Sequence, residues 1–218
     1  RDRGVKAGER AWREFVAEVP AERRPKEAFV RRSPTAGDCC EFDFGESRAI
    51  VGGAATNVKF LVAALPYSNA FFAKAYPAER MECLLDGIIE AFRYFGGVTA
   101  RGVLDNTTLA VRQVLKGRER TEQRDFEAFR GAVGLHVDYC APAKGWEKGP
   151  VEGGVDYVKD NVFRPMPEVA HFEALNASIL AALDRGMDER RVEGRTVRQA
   201  LDEERSHAIE HGLDPDSA

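Results

Sequence analysis

The hydrophobic positions change their period several times along the chain, and each change marks an element. Over residues 9–19, Trp12, Phe15, Val16 and Val19 fall at the i, i+3, i+4, i+7 spacing of one helical face. The segment then runs into the charged, proline-bearing stretch from Pro20 to Pro34, which predicts a helix followed by a linker. From Cys39 onward the pattern becomes extended. Cys40 to Gly45, Arg48 to Val51, Asn57 to Leu65 and Ala70 to Tyr76 read as strands, with turns at Gly52-Gly53 and at Pro66-Tyr67-Ser68-Asn69. Strands separated by such short turns predict an antiparallel meander. Between Glu79 and Phe95 the helical period returns, placing Met81, Leu84, Leu85, Ile88, Ile89, Phe92 and Phe95 on one face, and Gly96-Gly97 ends it.

Strand and helix then alternate. Val98 to Leu104 is an apolar run stopping at Asp105-Asn106, Gln123 to Val133 is helical in pattern, and Leu135 to Cys140 is extended. After a loop, Pro150 sits where a first-turn helix proline is tolerated; Val151, Val155, Val158 and Val162 share the face of the helix it opens, and Pro165 closes it. Val169 to Leu183 and Thr196 to His211 are helical in pattern, joined by a link containing Gly and Arg. Three antiparallel strands, a helix, a strand, a helix, a strand and a closing helix is the element order of the ribonuclease H-like fold. The expected architecture is therefore α/β, a mixed five-stranded sheet flanked by helices with extra helices at both ends. Residues 1–37 form an N-terminal helix and linker, 38–165 the core, and 166–218 a C-terminal helical extension.

Composition narrows the function classes. A chain of 218 residues can bury one substantial core with appended helices. No apolar run approaches the ~20 residues of a membrane span, and Arg1 to Arg10 lack the apolar stretch of a signal peptide, so a cytoplasmic protein is expected. The absent initiator methionine and the Asp-Pro-Asp-Ser-Ala ending suggest a piece of a longer protein. Cys39, Cys40, Cys83 and Cys140 show no CxxC pairing and read as buried reduced thiols rather than a zinc site or a disulfide framework. The net charge of −4 argues against a surface that is wholly a nucleic-acid glove, yet residues 1–37 carry a local +4, which leaves −8 for the remainder. A second basic cluster, Arg112, Lys116, Arg118 and Arg120, follows residue 110; such a run is either a phosphate-binding patch or a solvated face.

Three acids stand out against this pattern. Strand alternation in Glu41-Phe42-Asp43-Phe44-Gly45 sends Phe42 and Phe44 to one face and Glu41, Asp43 and Gly45 to the other. Asp105 ends the fourth strand, which in this topology lies parallel to and beside the first, so two carboxylates face each other across one strand spacing of about 4.8 Å. Glu152 falls in the first turn of the last long helix, where the helix dipole favours a carboxylate. Clustered carboxylates repel unless cations neutralise them, and hard oxygen donors with no convergent His or Cys point to two Mg²⁺ or Mn²⁺ ions serving phosphodiester chemistry. The competing reading is that these are unrelated strand-end and helix-cap acids.

The motif wording bears on that choice. Ala36-Gly37-Asp38-Cys39-Cys40-Glu41-Phe42-Asp43-Phe44-Gly45 resembles the entry to the catalytic core of IstA-type insertion-sequence transposases. Val62-Ala63-Ala64-Leu65-Pro66-Tyr67-Ser68, Ala91-Phe92-Arg93-Tyr94-Phe95-Gly96-Gly97-Val98, Leu104-Asp105-Asn106 and Glu147-Lys148-Gly149-Pro150-Val151-Glu152 are similar to further signatures of that family, in the same order. The resemblance covers residues from about 36 to 205. It implies a DDE-type transposase core related to retroviral integrases, with Asp43, Asp105 and Glu152 as the three acids. It also implies an upstream helix-turn-helix region for transposon ends, an ATPase helper protein, a homo-oligomer on DNA with transposon ends and target as substrates, and a bacterial, nucleoid-associated setting without a membrane. The family usually shows a lysine shortly after the Asp-Asn pair and a polar residue after the glutamate; this chain has Thr107-Thr108 and Gly153. No metal ligand is lost by either change.

Three functions remain in competition: a metal-dependent polynucleotidyl transferase, a catalytically silent DNA-bound scaffold of the same fold, and a ribonuclease acting on hybrid duplexes. Lys148 and Lys159 share the helical face of Glu152 if the helix continues through them, and with Arg112, Lys116 and Arg118 they are the candidate DNA contacts. Asp38 and Glu147 are rival acids in a turn and a loop. His207 and His211, four apart on a helix, lack a third metal ligand. Trp146 either stacks on an unpaired base or covers the edge of the core.

Overall fold

A computed structural model describes residues 34–104, 111–114, 120–122, 124–139 and 149–208. The chain divides after Ser33, and the unit from Pro34 onward is the one described. The N-terminal helix expected over residues 9–19 lies outside the described residues.

The first strand, β1, runs unbroken through Cys39–Val51, so the segments read as two strands, Cys40 to Gly45 and Arg48 to Val51, are one. The physical reason is cross-strand: Glu46 and Ser47 interrupt the apolar pattern, but they pair with Lys59 and Val58 of β2 (Ala54–Leu65), and Glu46 is held by an ion pair with the Lys59 ammonium. The β1–β2 turn needs two left-handed residues, supplied by Gly52 at φ 59° and Gly53 at φ 81°. β2 returns antiparallel along β1 from Glu41↔Ala64 to Val51↔Ala54, and β3 (Ala70–Tyr76) completes the meander.

Helix α1 (Met81–Phe95) follows and ends at Gly96, whose φ of 83° lets its N–H bond back to the carbonyls of Phe92 and Arg93. Strand β4 (Arg101–Leu104) is shorter than the apolar run from Val98 suggests, and it lies parallel to β1 from Cys39↔Arg101 to Phe42↔Leu104. A small antiparallel hairpin, β5 (Val111–Val114) with β6 (Arg120–Glu122), occupies a region whose sequence reads mainly as basic. Helix α2 (Arg124–Ala132) leads to β7 (His136–Tyr139), parallel to β4. The sheet order is β3-β2-β1-β4-β7. A short sixth strand, β8 (Glu168–Val169), adds parallel to the far end of β1, beyond the five expected.

Helices cover both faces of the sheet. On one side Phe42, Leu61, Ala63 and Phe72 pack against Leu84, Ile88, Phe92 and Phe95 of α1 and Phe126 of α2. On the other, Phe60, Val62, Ala64 and Phe71 pack against Val151 and Val158 of α3 (Gly149–Val162) and Leu175, Ile179 and Leu183 of α4 (Phe172–Glu189). Beyond α4, a second hairpin, β9 (Arg191–Val192) with β10 (Arg195–Thr196), turns the chain into α5 (Val197–Ala208). Val197 and Leu201 of α5 join the core of the α1 side. Successive residues of β1 and β2 thus enter different cores, as period-two alternation between two covered faces requires.

Candidate active site

Asp43 is half-buried in β1, directly opposite Val62 on β2. Cross-strand partners share a face, and Val62 belongs to the core under α3, so Asp43 lies on the α3 side of the sheet. The Phe44 N–H donates to its Oδ1 at 3.0 Å. Two residues earlier on the same face, Glu41 is buried at 6% exposure, and the Val151 N–H donates to its Oε2 at 3.2 Å. That N–H is one of the unpaired donors of a helix start, so Glu41 acts as an acceptor for the first turn of α3.

A second contact presses the same helix onto the sheet. At Gly154 an added Cβ would stand 2.9 Å from Val62 Cγ1 and 3.2 Å from Phe71 Cδ1, so only glycine admits this approach. Val151 and Gly154 therefore bracket Glu152 over the stretch of β1 and β2 that carries Asp43. Glu152 itself is exposed in the first turn of α3. At Gly153 an added Cβ would meet nothing within 4 Å, so this glycine falls at an open position.

The third acid, Asp105, lies outside the described residues. The last parallel pair is Phe42↔Leu104, and the next residue along each strand's sequence is Asp43 and Asp105 respectively. Among the described residues no three His, Cys, Asp or Glu side chains are grouped to hold a metal ion. The two described candidates are nonetheless of one kind. Asp43 and Glu152 offer carboxylate oxygens, suited to a hard divalent cation. Of the nearby thiols, burial pushes Cys39 up to about 12, despite the opposing effect of Arg101, and pushes Cys40 well above the ordinary thiol value, so both are held protonated. Cys39, Cys40 and Cys83 are all free thiols, and Cys140 lies outside the described residues.

The lesser candidates separate. Asp38 is occupied by Arg101, whose guanidinium also reaches Asp138, at 2.7 and 2.8 Å. His207 lies beside the Glu203 carbonyl on α5, and His211 is outside the described residues, as are Trp146, Glu147, Lys148, Lys116 and Arg118. Arg112 falls within β5. Lys159, in the last turn of α3, is half-buried and contributes, after Lys59, to lowering the carboxyl of Glu46. Sequence reasoning put Glu41 on the face of Asp43 but gave it no part. The available signal was an acid between Cys40 and Phe42 in a strand covered on both faces, where a charge needs a partner.

No family model matches the chain. Among curated proteins it is 37% identical over 148 residues to a transposase of Aminobacter aminovorans, covering 68% of this chain and 29% of the relative. It is 30% identical over 167 residues to the transposase for insertion sequences IS1326/IS1353 of Pseudomonas aeruginosa, covering 77% of this chain and 33% of the relative. The IS21 transposase of the same organism is 28% identical over 163 residues, or 72% of this chain and 40% of the relative. Over most of its own length the chain is thus similar to insertion-sequence transposases. It spans about a third of the length of the first two of these relatives. Among solved structures, the catalytic core domain of BIV integrase matches with a TM-score of 0.54 at 14% identity, covering 81% of this chain and 99% of that one. The HTLV-2 integrase catalytic core domain in complex with magnesium matches with a TM-score of 0.58 at 14% identity, covering 78% and 99%. The fold is the ribonuclease H-like integrase core, as the element order predicts.

Proposed function

We propose that this chain carries the catalytic core of a DNA transposase, a DDE-type polynucleotidyl transferase that cleaves strands at an element's ends and joins the freed 3′-hydroxyls to target DNA. The observation that carries this reading is the seating of α3. Glu41 and Gly154 hold its first turns on β1 and β2, which supports a position for Glu152 near Asp43 and the end of β4, where the sequence continues from Leu104 into Asp105.

In this reading Asp43, Asp105 and Glu152 hold two Mg²⁺ or Mn²⁺ ions, and the magnesium of the HTLV-2 integrase core is a precedent for the metal. When bound, such ions activate an attacking oxygen and stabilise a leaving one in an in-line displacement at phosphorus. The protein's own contribution is positional. The sheet fixes Asp43 on a strand paired on both sides, and the helix start gives Glu152 a site favourable to its negative charge.

Lys159 and, outside the described residues, Lys148, Lys116 and Arg118, together with Arg112 of β5, are assigned to the DNA path. The partners proposed are transposon-end and target DNA, further copies of the chain assembled on DNA, and an ATPase helper protein. Among the described residues no helix is long and apolar enough to cross a membrane. The silent-scaffold reading predicts no effect of the acids on chemistry. The test is strand cleavage and joining, with a DNA–RNA hybrid as a parallel substrate. Asp43→Asn, Asp105→Asn and Glu152→Gln should each abolish both reactions while leaving the circular dichroism spectrum unchanged. Full activity in any one removes that residue from the site, and preference for the hybrid favours a ribonuclease.

A further inference from the structure

Glu41 is a buried carboxylate in the interior strand of the sheet, and the proposed chemistry makes no direct use of it. Its surroundings define its task. It shares a face with Asp43 across two residues of β1, and its cross-strand partner is Ala64. Its Oε2 accepts the Val151 N–H at 3.2 Å, and Val151 is itself fully buried. The residue after Val151 is Glu152. One hydrogen bond therefore joins the strand of one proposed metal ligand to the residue adjoining another.

Resting on the reading given under Proposed function, we propose that Glu41 is a positioning residue: by accepting the Val151 N–H it fixes the first turn of α3, and with it Glu152, in register with Asp43. The other contacts of this turn are weaker anchors. Val151 and Val158 bury against the sheet but tolerate sliding, because apolar contact is non-directional. The Gly154 approach sets how closely the helix sits, whereas a hydrogen bond at its first turn sets where along the strand the helix starts. Partners that orient a metal ligand in this way commonly account for about 10- to 100-fold in metal affinity or activity.

The test compares Glu41→Met, which fills the volume without an acceptor, with Glu41→Gln, which keeps one acceptor oxygen. Asp43→Asn serves as the control, in the full 218-residue chain. Mn²⁺ affinity is read by electron paramagnetic resonance of free manganese, alongside strand cleavage across a magnesium titration. Glu41→Met should weaken Mn²⁺ binding by about 10-fold or more, and Glu41→Gln should recover it to within about threefold. A residue that only supports the fold would lower thermal stability and leave the Mn²⁺ affinity of the folded protein unchanged. That result in Glu41→Met overturns the proposal, as does a Glu41→Gln variant as defective as Glu41→Met. If neither variant folds, hydrogen exchange of the Val151 amide in the unaltered protein decides: protection close to that of the interior amides of α3 is required, and exchange as fast as that of an unfolded chain overturns it. Should Asp43→Asn keep full affinity and cleavage, the site reading itself fails. Should it lose both while Glu41→Met keeps both, only the role of Glu41 fails.

Discussion

Two adjacent glycines on α3 should respond to the same substitution with opposite signs. At Gly153 a new Cβ meets nothing within 4 Å, so Gly153→Ala gains the helix-propensity difference of about 0.5–1 kcal/mol. At Gly154 the same methyl stands 2.9 Å from Val62 Cγ1 and 3.2 and 3.3 Å from Phe71 Cδ1 and Cγ. Val62 is β-branched and fully buried, and Phe71 is 4% exposed, so neither has an easy rotamer to yield. Overpacking of this kind costs about 1–3 kcal/mol, from which the propensity gain must be subtracted, leaving Gly154→Ala destabilised by about 1–2 kcal/mol. The two variants should therefore differ by about 2 kcal/mol, or about 4–8 °C in melting temperature for a domain of this size. Urea unfolding followed by far-ultraviolet circular dichroism measures the difference. Because Gly154 lies two residues from Glu152, Gly154→Ala should also reduce metal-dependent cleavage, while Gly153→Ala should not. A Gly154→Ala protein as stable as Gly153→Ala would show that α3 does not approach the sheet as described, and the argument for the placement of Glu152 would go with it.

Other expectations reach different parts of the structure. Phe126 is the fully buried residue of α2, so Phe126→Ala should cost about 3–5 kcal/mol in urea unfolding. Glu204 of α5 accepts the N–H groups of Gly37 and Ser68, both at 3.2 Å, and burial is the main cause that raises its carboxyl above the ordinary value. The native state then binds more protons than the unfolded one between the ordinary and the raised value, so this group's contribution to stability falls as pH rises through that window. Glu204→Gln should consequently be more destabilising at the acid side of that window than at neutral pH, and a penalty independent of pH would contradict it. Lys159→Ala should weaken binding equally for all DNA sequences and make its salt dependence shallower by roughly one unit, whereas an unchanged slope would return Lys159 to a solvated face.

Much of this organisation was legible because period and punctuation agree. The α1 pattern from Met81 to Phe95, stopped by Gly96, and the valine face of α3 both appear where the spacing puts them. The misreadings share one origin, which is that the deciding contact is distant in sequence. Glu46 and Ser47 look like a break until Lys59 and Val58 are paired opposite them. Asp38 ranks as a rival ligand until Arg101 takes it, and nothing local announces that pairing across 63 residues. Glu41 was legible as an acid on the right face, but its use depends on where the start of α3 lands, 110 residues later. Asp43 and Glu152 stand out by strand alternation, helix position and motif wording, whereas the seating of α3 on the sheet depends on the glycine that lets it close on Val62.

The most direct test of the central claim is anomalous diffraction from crystals of this chain soaked in manganese. Two peaks about 3.5–4 Å apart should appear within ligating distance of Asp43, with Asp105 and Glu152 completing the set of carboxylates around them. Manganese bound elsewhere, or ions held without Asp43, would contradict the assignment of these carboxylates as the catalytic site.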